Sequence, residues 1–181
     1  ALQGARDIIA EWINEDMIVR AIVRQQFERH ATIKTKVAFG KEEDKEAQKF
    51  RDYFDWEEPL KNCPSHRLLA MRRGEEEGFL YLHIAPDDEE IQEILHHRVI
   101  KGNNAAAEQV AIALKDAYKR LMKFSIEFEF RNISKEKADK EAIEVFIKNL
   151  RQLLLAPVLG QKPILALDPG FATGCKLVCL D

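Results

Sequence analysis

Val110-Ala-Ile-Ala-Leu-Lys-Asp-Ala-Tyr-Lys-Arg-Leu-Met-Lys-Phe-Ser-Ile-Glu-Phe128 is the stretch whose reading decides the fold. Its apolar residues Val110, Leu114, Ala117, Leu121, Phe124 and Phe128 step by four and three, which lines them along one face of a helix. The pattern extends from Asn104 to about Arg131. Asn132 and Ser134 are expected to break and recap it, and from Lys135 to Leu155 the residues Ile143, Phe146, Ile147, Leu150, Leu153 and Leu154 repeat the stripe. Two long helices across a short connection predict an antiparallel helix pair, and with it a mainly α fold.

Upstream of that pair the periodicity alternates between helix and strand. Ile8, Ile9, Trp12 and Ile13 mark a short amphipathic helix that Asn14 is expected to end, capping the next. Ile18, Val19, Ile22, Val23 and Phe27 mark the second helix, from Glu15 to His30. Ile33, Thr35, Val37 and Phe39 then alternate with Lys34 and Lys36, and residues 78 to 84 alternate again, so a small two-stranded β element is expected from these two segments. Between them, Lys41 to Lys49 has helical propensity, and Tyr53, Phe54 and Trp56 form an aromatic knot that serves packing. Ser65 opens a third helix that Gly74 is expected to loosen or end, and Pro86 with the acids from Asp87 to Glu90 opens a fourth.

Composition bounds the function classes. A chain of 181 residues, 46% hydrophobic, can bury a real core, and its formal net charge of −3 gives no global basic signal for nucleic acid. Any such contact must be local. Arg67, Arg72 and Arg73 form the densest basic cluster, suited to holding phosphate bidentately, and Lys34 and Lys36 share the outer face of a strand. Glu75, Glu76 and Glu77 follow the arginines at once, so pairing within the chain competes with that role. Cys63, Cys175 and Cys179 are odd in number and lack metal-site spacing, which suits a reducing compartment, and the adjacent His96 and His97 cannot share a metal. No apolar run approaches the roughly 18 residues of a membrane span. These features place the protein in the cytoplasm, with no cofactor, no metal, no membrane contact and no small-molecule substrate expected.

The last stretch, Ile164 to Asp181, reads as strand, glycine turn, strand: a C-terminal β-hairpin. Asp168 sits where the first strand ends, able to reach a metal from the lip of a sheet, and Gly170, Thr173 and Gly174 supply backbone N–H groups and a hydroxyl for a small phosphate nest. A structural turn competes with both uses. Two-metal phosphodiester chemistry needs several converging carboxylates, and Asp181, the nearby acid, falls beyond the start of the first strand once the hairpin is centred near Phe171 and Ala172.

Several ordered motifs carry a resemblance to a known family. They are Ala-Leu-Gln-Gly-Ala-Arg-Asp-Ile-Ile-Ala-Glu at the N-terminus, Arg51-Asp-Tyr-Phe, Pro64-Ser-His-Arg67, Arg73-Gly-Glu, Ala142-Ile-Glu-Val-Phe146, Asn149-Leu-Arg-Gln-Leu-Leu-Leu155 and Asp168-Pro-Gly-Phe-Ala-Thr-Gly-Cys. Together they resemble the Tex family of bacterial transcription accessory proteins, across essentially the whole chain. The family's plan is multidomain: an N-terminal helical region with a helix-turn-helix, a YqgF domain of the RNase H-like fold, helix-hairpin-helix elements and a C-terminal OB-fold that binds RNA. Two positions depart from the family pattern. Ala172 stands where Arg is usual, and Phe124-Ser-Ile-Glu127 stands where Pro-Ser-Ile-Glu is usual.

The resemblance implies a fragment: residues 1–156 as the central helical domain, 157–163 as a linker, and 164–181 as the first hairpin of a truncated RNase H-like YqgF domain. The function it implies is that of a central scaffold in an RNA-binding transcription accessory factor. RNA or DNA would be met through regions outside this chain, with the transcription machinery as partner. Two alternatives stand beside it, a metal-dependent nuclease using Asp168 and a protein-interaction scaffold docking on the transcription machinery.

Overall fold

The structure, a computed structural model, describes residues 1–156, 160, 162–172 and 174–181. The chain divides into two compact units, Ala1–Ala142 and Ile143–Asp181.

In the first unit, α1 (Leu2–Glu15) and α2 (Met17–His30) meet at Asp16. Its N–H donates to the carbonyls of Trp12 and Ile13, while its carboxylate accepts the N–H groups of Ile18 at 2.7 Å and Val19 at 3.2 Å. One residue therefore closes α1 and caps α2. Asn14, the expected cap, lies inside α1 and instead accepts a hydrogen bond from Arg20 at 2.9 Å.

The sheet corrects the expected two-stranded element to three antiparallel strands in the order β2-β1-β3, with β1 Thr32–Val37, β2 Asp55–Pro59 and β3 Leu80–Ala85. The expected pairing of β1 with β3 is present, Ile33 opposite Ile84 and Lys36 opposite Tyr81. Asp-Trp-Glu-Glu-Pro has no apolar alternation and becomes a strand through its partner, since Thr35 lies opposite Trp56 and Lys34 bonds Glu57 at 2.8 Å. Of the segment Lys41 to Lys49, expected to be helical, residues 41–46 are not. Turns lead into a short 3₁₀ segment, Ala47–Tyr53, which buries Ala47 and Phe50 against Phe79 and Leu80.

Ile33, Leu82 and Ile84 of the sheet's inner face pack with Val23 and Phe27 of α2, Leu68 and Met71 of α3 (Ser65–Glu76), and Ile91 and Leu95 of α4 (Asp88–Val99). Thr35 is buried among them and satisfied, donating its hydroxyl to the Tyr53 carbonyl at 2.7 Å. Gly74 does not end α3. It is buried in the last turns, and its missing side chain makes room for Leu80 and Phe50.

The helix that follows carries the largest correction. After α5 (Ala105–Asp116) and a π-helical turn (Ala117–Met122), α6 runs unbroken for 32 residues, Lys123–Leu154, in place of the expected antiparallel pair. Asn132 and Ser134 sit inside it, and the Ser134 hydroxyl donates back to the Arg131 carbonyl at 3.1 Å. Ile126, Phe130 and Ala138 keep the helix docked on the core across the expected break, so tertiary packing overrides weak local breakers. The same helix closes the free edge of β3. The Glu127 carboxylate accepts the Ile84 N–H at 3.0 Å, and Arg131 donates to the Leu82 carbonyl at 2.7 Å.

The second unit holds the end of α6 and the expected β-hairpin, β4 (Ile164–Pro169) paired with β5 (Cys175–Leu180) in a register that puts Asp168 opposite Lys176 and Ile164 opposite Leu180. Pro157, which opens the expected linker, and Thr173 of the turn lie outside the described residues. No helix among the described residues is long and apolar enough to cross a membrane.

Candidate nucleic-acid interface

The three arginines of α3 each meet a carboxylate. Arg67 bonds Glu58 at 2.7 Å and lies 4.9 Å from the centre of the Trp56 ring, while the other Glu58 oxygen accepts the indole N–H at 3.1 Å. Burial pushes Glu58 up, but hydrogen bonds from Arg67, Cys63 and Trp56 outweigh it and hold the carboxyl below its ordinary range. Arg72 bonds Glu75 at 3.0 Å and Arg73 bonds Glu77 at 2.8 Å, the spacings of neighbouring residues on one helix. Glu75 is shared with Arg131 and Glu77 with Lys49, so the acidic tract after the cluster reaches well beyond it.

Lys34 and Lys36 stand on the outer sheet face beside His83 and Tyr81, their cross-strand neighbours on β3. They border an open groove of about 820 Å³ whose far side carries Asp87, Asp88, Glu89, Glu90 and Glu127. Lys34 is paired with Glu57. Lys36 forms no ion pair among the described residues, which makes it the unmatched cation of the five basic candidates. This groove is mixed in charge and presents no continuous basic track of the kind a phosphate backbone requires.

In the hairpin turn, the Gly170 N–H donates to the Gly174 carbonyl at 3.1 Å, and Gly174 takes a positive φ of 70° that favours glycine. One of the amides counted toward a phosphate nest is thus engaged in closing the turn. Asp168 faces Lys176 across the register, and Asp181 lies beyond the paired residues. Among the described residues no group of three or more His, Cys, Asp or Glu side chains could hold a metal ion.

Two polar clusters escaped the sequence reading. Glu127 and Arg131 serve the edge of β3, and their spacing of four on one helix face was the signal available. Tyr118, fully buried in the π-helical turn, donates its hydroxyl to Asp88 at 2.8 Å, and Lys123 bonds the other Asp88 oxygen at 2.6 Å. Burial pushes Asp88 up, but hydrogen bonds from Lys123 and Tyr118 prevail and hold it low; burial and then Asp88 push the Tyr118 phenol upward. No sequence spacing announces the π turn that brings these groups together.

A family profile described as Tex central region-like matches residues 1–146. Among curated proteins, the chain is 39% identical over 183 residues to Uncharacterized protein YdcI of Bacillus subtilis, covering 100% of this chain and 25% of that protein. It is 38% identical over 187 residues to Transcriptional accessory protein Tex of Neisseria gonorrhoeae, covering 100% of this chain and 24% of that one. It is 30% identical over 189 residues to the human S1 RNA-binding domain-containing protein 1, covering 98% of this chain and 19% of that one. The chain thus spans about a quarter of the length of its bacterial relatives.

Proposed function

The chain belongs to the Tex family through its central region, and from that premise we propose that it is the central scaffold of an RNA-binding transcription accessory factor, acting in the cytoplasm with the transcription machinery. The observation that carries the scaffold reading is the ion pairing: Arg67, Arg72, Arg73 and Lys34 each bond a carboxylate of their own chain. Each such carboxylate offsets the charge of its cation and competes with a phosphate for it, so this region contributes rigidity and the RNA is gripped chiefly elsewhere in the protein. The names of the relatives support the wider role. One is a transcriptional accessory protein, and another carries an S1 RNA-binding domain.

A nuclease built on Asp168 finds no second carboxylate among the described, paired residues of the hairpin, and Asp181 lies outside that register. The test of the proposal is a titration of the chain with single-stranded RNA at two salt concentrations, together with a variant in which Arg67, Arg72 and Arg73 are replaced by Gln. Weak binding that the replacement leaves unchanged supports the scaffold. Tight, salt-sensitive binding lost in the variant overturns it.

A further inference from the structure

A groove of about 350 Å³ opens on the first unit where α1 and the start of α2 meet the connection between α4 and α5. Its floor is apolar, with Ile9, Val99 and Val110 beside Trp12, and its rim carries Arg98 and Lys101. Trp12 is 68% exposed although its neighbours Ala10 and Ile13 are buried in the core. An indole left this open has a large apolar surface in water and is the side-chain type most often found as an interface anchor. Ile8, one turn earlier on the same face and 51% exposed, lengthens the apolar strip.

The charge at this groove differs from that around α3. Whereas Arg67, Arg72 and Arg73 are all matched by carboxylates, neither Arg98 nor Lys101 forms an ion pair among the described residues. Asp16, the acid that also borders the groove, caps α2 through one oxygen, accepting the N–H groups of Ile18 and Val19, so the border carries two cations against one carboxylate. An apolar floor under an unmatched cationic rim is complementary to an apolar side chain flanked by carboxylates. We propose that this groove docks a short acidic segment of a partner protein, with one bulky apolar side chain seated against Trp12 and its flanking Asp or Glu residues facing Arg98 and Lys101. The proposal does not rest on the scaffold reading, and RNA binding through Arg67, Arg72 and Arg73 would leave it standing.

The test is fluorescence anisotropy of a labelled short peptide alternating Asp with Phe and Leu, titrated with the whole chain, beside a counterpart with Lys in place of each Asp. The acidic peptide is expected to bind at least about tenfold tighter than its counterpart, and to lose about tenfold or more in Trp12→Ala and in the double variant Arg98→Glu, Lys101→Glu. Trp12→Phe and Lys36→Glu should bind as the parent does. Because Trp12 is exposed, the melting temperature of Trp12→Ala should match the parent's, which separates docking from folding. The proposal is overturned by absence of peptide binding, by equal binding of the Lys counterpart, or by parent-like binding of Trp12→Ala and of the Arg98→Glu, Lys101→Glu double variant. It is equally overturned if Trp12→Ala abolishes a concentration-dependent dimer, since the occupant is then a second copy, or if single-stranded RNA occupies the groove in a Trp12-dependent way.

Discussion

At Gly74, an added Cβ would lie 2.6 Å from Leu80 Cδ1 and 3.2 Å from Phe50 Cδ1. Leu80 is itself buried and has little room to swing away. Replacing a mid-helix Gly by Ala ordinarily gains about 0.5–1 kcal/mol, but overpacking a core costs about 1–3 kcal/mol. Gly74→Ala should therefore destabilise the protein in urea unfolding, and adding Leu80→Val should recover part of the loss. The composition of α3 suggested that this glycine ends a helix; its packing role depends on Leu80 and Phe50, which no local pattern connects to it. Glu58 gives a pH dependence. Its carboxyl is held below its ordinary value of 4.5, so the stability it contributes is present above that pH and is lost as pH falls through the lower folded value. Arg67→Met removes the hydrogen bond that counters burial, and the acid unfolding midpoint followed by circular dichroism should move to higher pH. Cys63 titrates the other way, since burial and then Glu58 push its thiol up to about 12. Iodoacetamide at neutral pH should label the exposed Cys175 and Cys179 well before Cys63, as read by mass spectrometry.

The elements with strong period and a matching partner were legible: α1, α2, the pairing of β1 with β3, and the closing hairpin. Those decided by contacts distant in sequence were not. β2 exists because β1 offers Lys34 and Thr35 to it, and α6 continues past Asn132 and Ser134 because Phe130 and Ala138 hold it to the core. This distinction is measurable at Ser134. As the cap of a new helix its replacement by Ala would cost about 1 kcal/mol, whereas inside a continuous helix Ser134→Ala should be neutral or stabilising by a few tenths of a kcal/mol, roughly the propensity difference. Glu127 tests the closure of the sheet edge. Glu127→Ala leaves the buried Ile84 N–H without its acceptor, at a cost of about 1–3 kcal/mol, and hydrogen exchange at Ile84 should accelerate more than at Ile33.

At the scale of the whole molecule, the chain is two compact units with α6 running from one into the other. The buried core belongs to Ala1–Ala142, whose helices and sheet share one cluster of apolar side chains. The basic candidates were readable as residues, but their partners were only partly so. Glu75 and Glu77 follow Arg72 and Arg73 in sequence, while Glu57 and Glu58 meet Lys34 and Arg67 through the β2 strand that local pattern did not reveal. Those pairings are the basis of the scaffold role proposed above, and RNA binding tests it most directly. A labelled single-stranded RNA is titrated with the chain at about 50 and 200 mM salt, with and without Arg67→Gln, Arg72→Gln and Arg73→Gln. The expected result is weak association, no tighter than the nonspecific range of about 10⁻⁴–10⁻⁶ M at the higher salt, and unchanged by the three substitutions. Submicromolar binding that falls steeply with salt and disappears with those arginines would contradict it.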